Sequence, residues 1–154
     1  MADTFFTQWE PGFINAEFDH DASLLAEIGD LMWVDAAENN LKPATSFADL
    51  GSAALTQRAF ASRFAGVANS KQLSTDTTAR NCRVVIDHVY DFTCTSDTYT
   101  VGDYVAPTYS AGLADQSLEK VTDPTRAIGR VVKRYGSAPT KVKVRLISSI
   151  FRGV

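Results

Sequence analysis

Between Arg83 and Phe92 the side chains change character at every step. Val84, Ile86, His88, Tyr90 and Phe92 fall on one side, and Arg83, Val85, Asp87, Val89 and Asp91 on the other. A period of two belongs to an extended strand with one face buried. The same alternation returns in Val142-Lys143-Val144-Arg145-Leu146. Shorter apolar stretches at Leu31–Val34, Thr98–Val101, Tyr104–Ala106 and Ala127–Val132 read as further strands. A Gly102-Asp103 turn between the second and third of these predicts a hairpin. Pro107 with Tyr109–Gln116, and Gly136–Pro139, read as loop and turn, and so do residues 39–43 and the polar stretch 69–81. Many short strands punctuated by Gly and Pro make the chain mainly β, a small barrel or sandwich.

One helix interrupts this pattern. Ser52–Phe64 carries Leu55, Phe60 and Phe64 as an inward stripe, with Gln57, Arg58 and Arg63 assigned to solvent. Ser46 and Asp49 match a helix-start pattern, and Gly66 is placed as the left-handed stop. Residues 24–154 then form a single β-rich domain with one short helix insert, of a size that needs neither disulfide nor metal.

The first 23 residues read differently. Phe5, Phe6, Trp9, Phe13 and Phe18 are five of the chain's sixteen aromatic residues. Pro11-Gly12 breaks any helix among them. They read as an extended N-terminal arm whose rings lie on a partner or fold back onto the body. The start, Met1-Ala2-Asp3-Thr4, has neither the basic nor the apolar region of a secretory leader. No apolar run approaches the ~18 residues of a membrane span.

Charge is divided along the chain. Residues 1–50 hold ten acids and one base, Lys42, whereas 51–154 hold fourteen Lys or Arg and eight acids, for a net of −3. This predicts an acidic and a basic surface, paired within one chain or between neighbours. Overall acidity argues against sequence-independent nucleic-acid binding.

Two segments also repeat an order of signals. Ile28-Gly29-Asp30-Leu31, Phe64-Ala65-Gly66-Val67-Ala68 and Arg83-Val84-Val85-Ile86 are echoed by Val101-Gly102-Asp103-Tyr104, Ala127-Ile128-Gly129-Arg130-Val131 and Lys141-Val142-Lys143-Val144. A pseudo-twofold relating 28–92 to 101–150 is the expectation. Each unit has a turn at its Gly-Asp pair and a close approach at its later glycine, and the helix absorbs the extra length of the first. Gly29, Asp30, Gly66, Gly102, Asp103 and Gly129 are its structural turn residues.

Catalytic and metal patterns are missing from the sequence: no phosphate loop, dinucleotide fingerprint, His-Glu-x-x-His or Cys-x-x-Cys occurs. Asp19-His20-Asp21 lacks a second cluster to complete a coordination sphere. His88 reads as a partly buried structural histidine. Cys82 and Cys94 flank the 83–92 strand. If straight, it holds them ~40 Å apart, beyond disulfide reach, as free thiols of a reducing compartment. A bend near Asp87 would bring them closer. No cofactor, metal site or catalytic residue is expected.

The string Thr98–Ala106, Ala127–Val131 and Val142–Leu146 resembles the small β-rich decoration, or cement, proteins of tailed-phage heads and their phage-derived bacterial homologues. The resemblance covers about fifty residues, with Ile28–Leu31 as a fainter echo. It implies a non-enzymatic virion protein, made in the host cytoplasm and carried on the capsid exterior. There it binds the major capsid protein, bridges capsid subunits and assembles as a homo-oligomer, commonly a trimer. A β-rich receptor- or glycan-binding module is the alternative, and a barrel-mouth enzyme a third.

Overall fold

A computed structural model describes residues 15–151. Ten strands and one helix follow in chain order: β1 (Asn15–Asp19), β2 (Leu31–Asp35), β3 (Asn40–Pro43), α1 (Ala53–Arg63), β4 (Phe64–Ala68), β5 (Asn81–Val85), β6 (Asp87–Cys94), β7 (Tyr104–Tyr109), β8 (Leu113–Val121), β9 (Gly129–Val131) and β10 (Lys141–Ile147). Short 3₁₀ turns follow β3 at Ala44–Ser46 and β8 at Pro124–Arg126. The chain is mainly β, as its alternation implied.

β1-β5-β4-β2-β3 form one five-stranded sheet, and β10-β6-β8-β7-β9 a closed barrel. A parallel bridge between His20 and Leu41 joins the two outer strands of the first sheet, so it too curls into a ring. In the second barrel the matching closure is the parallel pairing of Thr93 and Cys94 with Ser117 and Leu118.

The correspondence extends to single hydrogen bonds. Gly29 N–H donates to Ala68 O at 2.9 Å, and Ala68 N–H returns to Asp30 O at 2.9 Å. Gly102 N–H donates to Val131 O at 2.8 Å, and Val131 N–H returns to Asp103 O at 2.9 Å. The Asp30 carboxylate accepts from Glu27 N–H at 2.8 Å, and that of Asp103 from Thr100 N–H at 2.9 Å. Asn69 N–H reaches Arg83 O at 2.7 Å, and Val132 N–H reaches Lys143 O at 3.0 Å. Two barrels of one design therefore stand in tandem, over residues 15–85 and 87–147.

These boundaries correct the expected 28–92 and 101–150. The predicted 83–92 strand breaks at Ile86: β5 closes the first barrel and β6 opens the second. Cys82 and Cys94 consequently lie in different barrels, both as free thiols. β1 pairs with β5 from Asn15↔Val85 to Asp19↔Asn81, so the expected 1–23 arm is part of the fold from Asn15 onward. Thr98–Val101 forms no strand, and the Gly102-Asp103 turn leads into β7 without making a hairpin. The expected 109–116 loop gives way to β8, which pairs with β7.

The helix starts where Ser52 Oγ accepts from Leu55 N–H at 3.3 Å, the expected position for a Ser cap. Ser46 and Asp49 do not start it; Asp49 instead accepts from Gly51 N–H at 2.9 Å. Leu55 is exposed and Gln57 fully buried, the reverse of the expectation. Gln57 and Phe60 are spaced three apart and share a face with Ala61, four on from Gln57, whatever their polarity; all three are buried.

Gly66 and Gly129 sit inside β4 and β9, not at turns. A Cβ built on Gly66 would fall on the Val85 carbonyl, and one on Gly129 on the Arg145 carbonyl. Each glycine lets its strand press onto the closing strand of its barrel. Gly129→Ala is expected to cost about 1–3 kcal/mol through overpacking. Gly66→Ala is expected to cost more, because φ is also +147° there. Gly136→Ala, which meets open space, should change stability by less than about 0.5 kcal/mol. Thermal denaturation of the three variants checks this; equal losses would contradict it.

Candidate interaction surface

The residues expected to bind a partner divide at the start of the fold. Phe5, Phe6, Trp9 and Phe13 lie outside the described residues. Phe18 lies in β1, half-buried, with its ring 5.8 Å from that of Phe151. It packs against the buried cluster of the first barrel, as Val34 and Ile86 do. His88 is half-buried on β6, edge-on to Tyr90 at 4.7 Å.

Between the barrels the contacts are dense. Trp33, Phe47, Phe60 and Phe64 stack in sequence, with ring centroids 4.9, 5.6 and 5.9 Å apart. They belong to the same buried cluster as Val105, Leu118, Ile128 and Val144 of the second barrel. Gln57 stands beside them. Its amide donates to Pro107 O at 2.7 Å and to the Glu119 carboxylate. Its carbonyl accepts two bonds from the Arg126 guanidinium, at 2.9 and 2.6 Å. One buried side chain thus ties α1 to three elements of the second barrel.

A second clamp runs the other way. The Asp115 carboxylate, from β8, accepts from Thr45 N–H at 2.8 Å and from Thr45 Oγ at 3.1 Å. Next to it Gln116 Nε2 donates to Asp30 Oδ1 at 2.7 Å, reaching the Gly-Asp turn of the first barrel. Burial pushes the Asp115 carboxyl above its ordinary value, and the nearby Asp30 charge adds to the push. At the helix, Arg58 reaches Asp123 at 3.0 Å. Thr125 and Arg58 together hold the Asp123 carboxyl down to about 2.

The outer face of the second barrel is basic and aromatic. Lys143 pairs with Asp91 at 3.5 Å and Arg145 with Asp87 at 2.7 Å, across β10 and β6. The Arg130 guanidinium sits over the Tyr104 ring, 4.3 Å from its centroid, and donates to its hydroxyl. Among the described residues it has no carboxylate partner. Tyr104, Ile128, Arg130, Arg145 and Ile147 line a surface groove of about 550 Å³. The Arg130 guanidinium beside an aromatic ring and aliphatic walls suits a carboxylate or a ring of a partner chain.

The linear charge split shrinks on folding. The first barrel holds nine acids and six bases, because Arg58, Arg63, Lys71, Arg80 and Arg83 come back to it; the second holds seven acids and eight bases. Lys42 sits among Asp21, Asp35 and Glu38, at 3.4, 2.7 and 3.0 Å. Much of the expected acid–base complementarity is therefore satisfied within one chain. Among the described residues no three His, Cys, Asp or Glu converge as a metal site. Comparison with protein-family models, curated proteins and solved structures returns no match.

Gln57→Leu should lower stability by about 2–4 kcal/mol, because it strands a buried carbonyl and the Arg126 and Glu119 side chains. Urea denaturation checks this; a change below about 0.5 kcal/mol would contradict it. Asp115→Asn isolates the cost of a half-buried charge. Since the folded carboxyl is raised, the protonated form is favoured, and that advantage fades as pH rises through the raised value. The amide keeps the acceptor for Thr45 N–H, so the variant should melt above the parent at neutral pH. Its margin should shrink as pH falls toward about 4. A margin independent of pH would contradict it.

Proposed function

We propose that this chain is a structural virion protein. It binds the outside of an assembled capsid without catalysis and stabilises the capsid by bridging neighbouring copies of the major capsid protein. The observation that carries this reading is the duplication: two barrels of one design, fastened by α1 and the Asp115–Thr45 clamp. A shell repeats one subunit across its surface. A rigid two-barrel body suits contact with two such neighbours at fixed separation, and repeated weak contacts give tight retention. The Gly-Asp turns at Gly29 and Gly102 and the closing strand β10 are the elements that resemble head-decoration proteins.

The aromatic residues before Asn15 supply the docking energy. Each ring, fully buried on a partner, contributes about 1.5–3 kcal/mol. The Tyr104–Arg130 face offers a second contact, and assembly as a homo-oligomer, a trimer foremost, multiplies both. A β-rich glycan-binding module would use the same groove to stack sugars.

Mixing the purified chain with emptied capsids of the phage or prophage that encodes it, then pelleting, tests the reading. The chain should enter the pellet and raise the temperature at which the capsids break. A chain left in the supernatant would contradict the proposal, and binding to sugars instead would favour the module. Deleting residues 2–13, which spares β1, should abolish pelleting while the thermal transition persists. A deletion that pellets like the parent would remove the rings from the interface.

A further inference from the structure

His20 closes the first barrel. It follows β1 directly and forms the parallel bridge to Leu41 that joins β1 to β3. Its own N–H donates to Arg80 O at 2.8 Å, and the next residue, Asp21, donates to Leu41 O at 3.2 Å. The imidazole is 1% exposed. Nε2 lies 3.2 Å from Ser70 Oγ. That hydroxyl donates to Asn81 O and accepts from Arg83 N–H, both at 3.1 Å. Its proton is thus spent on Asn81, so Nε2 carries the hydrogen and donates to Ser70. Nδ1 is then a bare lone pair, and among the described residues no group hydrogen-bonds it.

A proton arriving from solvent can settle only on Nδ1. It would create a buried cation whose new N–H has no acceptor, a costly arrangement. The charged residues beside His20 are Asp19 on β1, Asp21 after it, Asp30 at the Gly-Asp turn, Lys42 on β3, Asp76 and Arg80 in the 69–80 segment, and Arg83 on β5. Cys82, also on β5, is a thiol that burial keeps neutral, its ionisation pushed up to about 12. Burial holds His20 below its ordinary 6.5, against the Ser70 backbone hydrogen bond and the Asp19, Asp30 and Asp76 charges, which favour the cation. Lys42 is occupied by its three carboxylates.

The second barrel has Cys94 at the same place, with the same bonds. Cys94 N–H donates to Thr140 O at 3.2 Å, and Thr95 N–H to Leu118 O at 3.0 Å. Its thiol donates to Pro139 O at 3.4 Å, and burial raises its ionisation, so it stays neutral in mild acid.

We propose that His20 is a pH-operated latch: protonation expels the imidazole, parts the seam between β1 and β3, and opens the first barrel while the second stays shut. β1 keeps its five-residue pairing with β5, so the opening is confined to the seam. Stability carried by the neutral imidazole is complete above about 6.5 and is lost as pH falls from there through the lowered folded value.

Amide hydrogen exchange on the full chain, at about pH 7.5 and about pH 5, tests the latch. Protection factors at His20 and Asp21 should fall roughly fivefold or more on acidification, while those at Cys94 and Thr95 hold. In His20→Cys, which copies the second barrel, the drop should vanish. Unchanged protection at His20 and Asp21, or an equal drop in both barrels, would overturn the proposal. So would a drop that persists in His20→Cys. The imidazole titration followed by NMR on the parent chain decides the matter independently of the variant. A midpoint below 6.5, moving together with the Asp21 amide, supports the latch, and one at or above 6.5 overturns it.

Discussion

The two barrels share one buried apolar cluster, and the remainder of the architecture depends on it, because the first barrel has the smaller interior of its own. Its interior carries Ala26, Ala65, Ala68 and Cys82 where the second barrel places Tyr99, Ile128, Val131 and Val142 at the equivalent positions. Small side chains remove little apolar surface from water, and that surface is the main source of folding free energy. The missing burial is recovered on the outside of the first barrel. Leu31, Trp33, Phe47, Phe60, Phe64 and Val67 join the core of the second barrel in one cluster. The helix insert is therefore the piece that converts two barrels into one body.

That arrangement explains where polar groups are buried. Gln57 is on the shared face because its spacing from Phe60 puts it there, and its amide nitrogen and oxygen both find partners in the second barrel. Asp115 and Gln116 return the favour from the second barrel, to Thr45 and Asp30. A body joined at two places resists hinging, as the proposed bridging of capsid subunits would need. It also frees the outer sheet face around Tyr104 and Arg130 for contact.

Legibility in the sequence followed side-chain periodicity. β10 and β6 alternate, β2 is a short apolar run, and α1 announced itself by Ser52, Phe60 and the Phe64 that follows it. The repeated Gly-Asp turns and close-approach glycines were legible because each role admits few residues. β1, β3 and β8 were not. Asn15–Asp19 and Asn40–Pro43 each carry too few inward side chains to show a period, and Leu113, Leu118 and Val121 on β8 are spaced unevenly. Tertiary pairing, not local preference, makes them strands. The charge division misled for a related reason: it is local along the chain, and β4, β5 and α1 carry later cations back onto the earlier barrel. The aromatic residues before Asn15 stay a matter of sequence.

The claim on which the account stands is that two like barrels behave as a single body. Scanning calorimetry at neutral pH measures this directly. One transition is expected, with calorimetric and van't Hoff enthalpies that agree, since the two barrels share one buried cluster. Two separable transitions, with the barrel of residues 87–147 melting apart from that of 15–85, would contradict it.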